Sequence, residues 1–180
     1  MAVLFVALQS CAEGGSKSEE KVDEVAYHVI DLITSQQFKK LDKEFVHPDM
    51  GVLNYVKYGV VPDCYRSRTL ESFKHLPEKN TRFHVVAGKS VSFDCDLEQW
   101  VSQGLFITEE FECTIKRTME HRIKFDEGDF TEKDLSDAEF LAKNSFKVVA
   151  TDIDLVFYLT PMDGRWYLTC IDQTEYDCSA

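Results

Sequence analysis

The C-terminal part of the chain constrains the fold most, because it contains two long apolar segments joined by a turn. Residues 146–160 and 165–173 are rich in β-branched and aromatic side chains, which favour strands. Between them stands Pro161-Met162-Asp163-Gly164, and a proline followed by Asp-Gly is typical of a tight turn. The sequence therefore predicts a long β-hairpin.

Both faces of this hairpin are apolar, because successive strand residues point to opposite faces. One face of the first strand carries Ile153, Leu155, Phe157 and Leu159, and the other carries Val156 and Tyr158. In the second strand, Trp166, Leu168 and Cys170 are predicted to oppose Tyr167 and Ile171. We expect helices to cover one face and another surface, such as a second subunit, to cover the other. In the latter case the chain forms a homodimer through its C-terminal hairpin sheet.

Two amphipathic helices are predicted at the start of the domain. The first is marked by apolar residues at helical spacing, namely Val22, Val25, Ala26, Val29, Ile30 and Ile33. We expect Ser16 and Glu19 to frame its start. The second contains Phe38, Leu41 and Phe45. It should end before His47-Pro48, because proline disfavours a helical residue ahead of it.

The middle of the chain is predicted to be mixed. Residues 49–62 are extended or looped, since their apolar members are β-branched. Further along we expect a short helix over residues 69–76, a strand pair within residues 83–93 broken at Gly88-Lys89, a helix over residues 97–103 capped by Asp96, and a strand over residues 105–117. An acidic helix follows, with Thr131 as its cap and Asp134 at its third position.

Helices first and a sheet-rich half afterwards predict an α+β fold rather than alternating βαβ units. The chain resembles nuclear transport factor 2-like proteins in this order of elements and in two segments. The segments are Phe45-Val46-His47-Pro48-Asp49 and Val156-Phe157-Tyr158-Leu159-Thr160-Pro161-Met162-Asp163-Gly164-Arg165-Trp166-Tyr167-Leu168. That cone-shaped fold is shared with SnoaL-like and ketosteroid-isomerase-like domains. The resemblance covers about residues 19–176. It implies N-terminal helices packed on a curved, mostly antiparallel sheet that encloses a pocket.

Residues 1–11 are predicted to be a lipoprotein signal peptide that ends at a lipid-bearing cysteine, Cys11. The apolar run 2–8 is far shorter than the roughly 20 residues that span a bilayer. Leu8, Ser10 and Cys11 resemble a bacterial lipobox. No Lys or Arg precedes Cys11, although a signal peptide normally opens with positive charge, so we expect the true start upstream. The alternative is that these residues form an ordinary strand.

The rest of the chain divides into a tether and one domain. Residues 12–20 are small and polar, which is typical of a flexible linker. Residues 21–180 are predicted to be a single nuclear transport factor 2-like domain, of ordinary size for one core. Together these expectations give an outer-membrane lipoprotein of the cell envelope, anchored through Cys11.

Composition argues against several partners. The formal net charge of −12 disfavours binding to nucleic acid and to anionic lipid. The cysteines other than Cys11 are Cys64, Cys95, Cys113, Cys170 and Cys178, and the sequence leaves their disulfide pairing open. No cofactor or metal is expected, since CxxC and HExxH spacings are missing and the acidic residues 126–137 do not match an EF-hand.

Two functional hypotheses follow from the resemblance. The preferred one is a non-catalytic domain that binds a small apolar ligand or a partner protein, with a candidate pocket of Tyr55, Tyr58, Trp100, Tyr158 and Trp166. The alternative is a small acid–base enzyme, isomerase- or dehydratase-like, that uses an Asp and a Tyr in the pocket. Its candidate carboxylates are Asp63, Asp94, Asp152, Asp154 and Asp172, with Tyr55, Tyr58 or Tyr158 as the hydrogen-bond donor. A fold resemblance alone favours neither chemistry.

Overall fold

The computed structural model describes residues 21–59, 61–70, 84–109, 114–125 and 130–178. Within them the helices and strands are α1 (Val22–Thr34), α2 (Phe38–Phe45), β1 (Val52–Tyr58), β2 (Val61–Ser67), β3 (Val85–Ala87), β4 (Phe93–Asp94), β5 (Gln99–Trp100), β6 (Leu105–Thr108), α3 (Thr114–Lys124), α4 (Glu132–Asn144), β7 (Phe146–Ala150), β8 (Leu155–Met162) and β9 (Arg165–Asp172). In this part of the chain no helix has the length and apolar character needed to cross a membrane.

A seven-stranded sheet organises the domain, in the order β2-β1-β9-β8-β7-β6-β3. Its pairings are antiparallel except for β1 with β9 and β3 with β6, which are parallel. Strands β4 and β5 form a separate two-stranded ribbon. The predicted α+β class with a mostly antiparallel sheet is therefore confirmed.

One face of the sheet, here called the first face, is covered by the two predicted N-terminal helices. The α1 residues Val25, Val29 and Ile33 are fully buried, as their spacing predicts. Helix α2 contributes Leu41 and Phe45 to the same core, and ends one residue before His47-Pro48 is reached. The predicted cap residues of α1 lie outside the described residues, and Lys21, which precedes the helix, makes no side-chain cap.

The C-terminal hairpin forms as predicted at its turn. Asp163 and Gly164 have φ angles of 51° and 73°, so both adopt the left-handed conformation that a two-residue hairpin turn requires. The predicted first strand is divided into β7 and β8 by a 3₁₀ turn, Thr151–Ile153.

A register shift in the same hairpin corrects one prediction about its faces. Tyr158 pairs with Cys170 and Leu159 with Leu168, which leaves Thr169 as an extra residue. Leu168 therefore joins the core of the first face, whereas Cys170 joins a core on the opposite face. The alternation rule put both on one face because the sequence carries no clear mark of a bulge.

The opposite face, here called the second face, is covered by the chain itself. Helices α3 and α4 cover one half, where Ile115, Met119 and Leu141 pack against Tyr158 and Cys170. The β4–β5 ribbon covers the other half, where Trp100 packs with Phe106, Val149 and Val156. Both apolar faces of the hairpin are thus buried within one chain. A homodimer through this sheet stays a prediction. The prediction was motivated by an uncovered apolar face on the hairpin, and this face is covered by α3, α4 and the β4–β5 ribbon.

Two strand predictions are wrong in the middle of the chain, as is one helix prediction that is described in the next paragraph. The strand expected over residues 105–117 ends at Thr108, and Thr114 begins helix α3. The helix is favoured because Ile115 and Met119 lie four residues apart and bury one face of it. The two strands within residues 83–93 do not pair with each other, since β3 pairs with β6 and β4 with β5.

The helix expected over residues 97–103 is instead a tight turn and strand β5. Asp94, not Asp96, supplies the local cap: its Oδ1 accepts hydrogen bonds from the backbone N–H groups of Asp96 (2.9 Å) and Leu97 (3.1 Å). Most of the helix predicted over residues 69–76 lies outside the described residues.

The acidic helix α4 begins as predicted. Thr131 and Asp134 form a reciprocal capping box, with Thr131 Oγ1 accepting from Asp134 N and the Asp134 carboxylate accepting from Thr131 N at 2.7 Å. Phe130 and Leu135, on either side of the cap, pack against the core that α3 and α4 share.

Candidate functional site

The predicted pocket residues do not meet at one place. Tyr55 and Tyr58 line the same cavity, and the candidate carboxylate Asp63 lies there too. Trp100 is buried in the core beneath the β4–β5 ribbon, Tyr158 is buried beneath α3 and α4, and Trp166 packs against the core of the first face. The candidate site therefore contains two of the five predicted pocket residues and the candidate carboxylate Asp63, together with residues that were not predicted.

This site, which we call the hairpin cavity, lies between the β1–β2 hairpin and helix α3. Its volume is about 410 Å³, which is within the size range of small-molecule sites. The strands contribute Tyr55, Tyr58, Val61, Pro62 and Asp63, and the helix contributes Arg117, Thr118, His121 and Arg122. One wall is thus largely apolar and aromatic, and the other is cationic.

The apolar wall depends on the turn between β1 and β2. Tyr58 pairs with Val61 across the antiparallel ladder, and Gly59 between them has a φ of 65°. At this end of the hairpin Tyr58 is 67% exposed and Val61 is 58% exposed, whereas Tyr55 deeper in the strand is buried. The cavity therefore has a buried floor and a solvent-facing apolar rim.

The cationic wall depends on how α3 is anchored. Ile115 and Met119 are buried against the second face, which turns the other side of the helix toward the hairpin. Arg117 and His121 are one turn apart on that side and both are exposed. The apolar anchors thus fix where the cationic side chains stand.

Asp63 holds the two walls together. Its Oδ1 accepts a hydrogen bond from the Arg122 guanidinium, in a half-buried ion pair between β2 and α3. The same oxygen accepts from the backbone N–H of Cys64 at 2.7 Å. These contacts position Arg122 and give the carboxylate a structural role.

A second, more polar cavity shares Arg122 with the first. This arginine cleft has a volume of about 670 Å³ and is also lined by Arg66, Arg68, Lys133 and Asp134. Arg66 bridges β2 to the start of α4 through Asp134 Oδ1 at 2.6 Å and also donates to the Met50 carbonyl. Burial, the largest single influence, raises the pKa of Asp134, but hydrogen bonds from Thr131 and the charges of Arg66 and Lys133 lower it overall.

A third cavity, the edge groove, lies beside the first face near the start of α1. Val22, Ala87, Ile107, Thr108 and Phe146 are among its lining residues, and its volume is about 480 Å³. Thr108 is 8% exposed, and its Oγ1 has no hydrogen-bond partner among the described residues. The groove carries fewer charged groups than the other two cavities.

The remaining candidate carboxylates serve local structure, and none lines the three cavities described above. Asp94 caps the turn after β4, and Asp154 Oδ1 accepts from Trp100 Nε1 at 2.9 Å. Asp152 is exposed. Asp172 is buried and accepts from both the backbone N–H and the hydroxyl of Thr174. Burial, opposed by these hydrogen bonds, raises the pKa of Asp172 to about 6.

The cysteines offer no reactive thiol in the described part of the chain. Cys95 and Cys178 form a disulfide. Cys64 and Cys170 are free but buried, and burial raises the pKa of the Cys64 thiol to about 12 and that of Cys170 well above its usual value. A thiol in such surroundings stays protonated at neutral pH. Cys11 and Cys113 lie outside the described residues, which also contain no cluster of His, Cys, Asp and Glu able to hold a metal ion.

Tyr55, Tyr58 and Asp63 are among the site residues predicted from the sequence, whereas Arg117, Thr118 and Arg122 are not. The strand that the sequence predicts over residues 105–117 hides the helix that carries them. The four-residue spacing of Ile115 and Met119 is the signal that identifies the helix and, with it, the cationic side.

Comparisons with known proteins do not assign this chain to a family. A scan against protein-family models found no match, and searches of the curated proteins and of the solved structures found none either.

Proposed function

We propose that this domain binds a small organic ligand in the hairpin cavity and does not transform it. The observation that carries the proposal is the pairing of an apolar wall, built from Tyr55, Tyr58 and Val61, with the polar side of α3 across about 410 Å³. Ligand sites are typically concave and apolar, with a few polar groups that fix orientation.

The exposed rim supports binding. Tyr58 and Val61 place large apolar side chains in solvent at one end of a hairpin, and Tyr65 on the same strand as Val61 is 43% exposed. Single exposed apolar residues are common, but a cluster beside a cavity is typical of an interaction site. A ligand with an apolar body would remove the Tyr58 and Val61 side chains from water, and that burial would favour binding.

The contacts of Asp63 support binding over catalysis. A general base must reach the proton that it removes, and an isomerase-like base works best in an apolar pocket. In the hairpin cavity the carboxylate is Asp63, which is engaged by Arg122 and by the backbone of Cys64. Asp172 has the raised pKa expected of a catalytic acid, but its hydrogen bonds go to Thr174.

The test uses the neutral fluorescent probe N-phenyl-1-naphthylamine, whose emission rises in apolar surroundings. We expect saturable binding to the full-length chain and a loss of affinity of at least about tenfold in Val61→Asp, because a carboxylate there would be desolvated by the probe. Val101→Asp is the matched control, since Val101 is 59% exposed and lies outside the cavity. Equal affinities for the two variants, or no binding at all, would overturn the proposal.

We also propose that the domain is displayed in the cell envelope through a lipid on Cys11. The Cys95–Cys178 disulfide supports this, because disulfides persist outside the reducing cytosol. Fatty-acid labelling of the full-length chain tests it, with Cys11→Ala as the matched variant. We expect label and membrane association in the wild type and neither in the variant. An unlabelled soluble wild type would contradict the anchor and leave the ligand proposal intact.

A further inference from the structure

We infer that the ligand of the hairpin cavity is an amphipathic anion, with a carboxylate or similar oxyanion attached to an apolar or aromatic body. The inference rests on the proposed function, since it names the class of ligand for the same cavity. It is carried by the distribution of cationic side chains around Arg122.

Arginine is concentrated at this end of the molecule. The chain has six arginines, and the hairpin cavity and the arginine cleft are lined by four of them: Arg66, Arg68, Arg117 and Arg122. A guanidinium presents planar, paired donors that match the oxygens of a carboxylate, sulfonate or phosphate better than a lysine ammonium does. An arginine-rich wall therefore favours a ligand with such a group.

The charges that face the hairpin cavity do not cancel. Two guanidinium groups, those of Arg117 and Arg122, line it together with one carboxylate, Asp63, whose Oδ1 already accepts from Arg122. The acidic residues of the neighbouring cleft are partly engaged too, because Asp134 pairs with Arg66 and Asp137 with Lys133. Arg117 lines the cavity and is exposed, and within the described ranges no carboxylate forms an ion pair with it.

A structural explanation accounts for only part of this wall. Cations in the last turn of a helix interact favourably with its dipole, and this suffices for Arg122 and Lys124 at the end of α3. Arg117 is the fourth residue of the helix, where the dipole offers no such benefit. It lines the same cavity as Tyr58 and Val61, where its guanidinium is available to an anionic ligand that has an apolar body.

The net charge of −12 does not prevent an anion from binding in the cavity. At physiological ionic strength the screening length is about 8 Å, so distant carboxylates contribute little within the cavity. A bound oxyanion would interact mainly with Arg117 and Arg122.

A matched pair of probes tests the inference, because 1-anilinonaphthalene-8-sulfonate and N-phenyl-1-naphthylamine share one ring system and differ by the sulfonate. We expect the sulfonate to bind the full-length chain about fivefold more tightly than the neutral probe. Arg117→Gln should remove about this fivefold preference, which corresponds to the upper range for an exposed ion pair, by weakening the sulfonate more than the neutral probe. Arg165→Gln is the control, because Arg165 is also exposed but lies at the other hairpin turn.

The outcomes separate the two proposals. If both probes bind equally, and Arg117→Gln changes neither, the ligand is not selected by charge and the inference is wrong while the proposed function stands. If neither probe binds, both are overturned. If Arg117→Lys retains part of the preference that Arg117→Gln loses, charge together with guanidinium geometry accounts for the selectivity. Near-ultraviolet circular dichroism of each variant verifies that the fold is intact.

Discussion

Cys95 and Cys178 are joined by a disulfide that ties the end of the described chain to the turn between β4 and β5. The bond spans 83 residues of sequence. It stands beside a small aromatic group in which Trp100 contacts both Phe93 and Tyr176. The disulfide therefore holds the cover over half of the second face.

Removing this disulfide should destabilise the domain. We expect the Cys95→Ser/Cys178→Ser double variant to lose about 2–4 kcal/mol of unfolding free energy, because closing a long loop restricts the unfolded chain. Urea unfolding followed by tryptophan fluorescence measures this. Adding reductant should weaken the wild type to a similar extent and leave the double variant unchanged. A wild type that is indifferent to reductant would show that the disulfide does not support the fold.

Asp172 should make stability depend on pH between its unfolded and folded pKa values. The unfolded value is near 3.8 and burial raises the folded one to about 6, so the folded state binds the proton more tightly in this range. The contribution of Asp172 to the free energy of unfolding therefore decreases as pH rises from 4 to 6. Asp172→Asn should stabilise the protein at pH 8 by on the order of 2 kcal/mol and change little near pH 3.

Asp152→Asn is the control for this prediction, because Asp152 is exposed on the 3₁₀ turn between β7 and β8. Urea unfolding from pH 3 to pH 8 compares the two variants with the wild type. If both variants follow the wild-type profile, Asp172 does not titrate between the two states in the manner described.

Substitutions at Gly51 and Gly59 distinguish the cost of a strained backbone from the cost of a steric clash. Both have positive φ, at 64° and 65°. A Cβ on Gly51 would lie 2.5 Å from the Ser67 carbonyl oxygen, whereas a Cβ on Gly59 would meet nothing within 4 Å. We expect Gly59→Ala to cost about 1 kcal/mol for the left-handed backbone, and Gly51→Ala to cost roughly 2 kcal/mol more. Thermal or urea unfolding gives both values, and equal costs would contradict the close approach at Gly51.

The sequence predicted the elements whose periodicity is long and unbroken. Helix α1 and the turn at Asp163-Gly164 follow directly from residue spacing and turn chemistry. The segment that forms strand β5 is predicted to be helical, because strands of two residues are too short to show a period. The bulge at Thr169 depends on pairing between strands and has no local signature.

The candidate site was only half predictable for a related reason. Tyr55, Tyr58 and Asp63 are among the candidate residues that the sequence offers, and all three belong to one hairpin. Arg117 and Arg122 lie more than fifty residues further along and reach the hairpin only because Met119 anchors α3 on the second face. Contacts of that kind are set by tertiary packing, which residue patterns along one segment do not report.

A ¹H–¹⁵N correlation spectrum of the full-length chain, titrated with 1-anilinonaphthalene-8-sulfonate, locates the ligand site on the domain. We expect saturable amide shifts concentrated in β1, β2 and the face of α3 that carries Arg117 and His121. Shifts confined to the edge groove around Ile107 and Thr108, or spread evenly over the domain, would contradict a ligand site in the hairpin cavity.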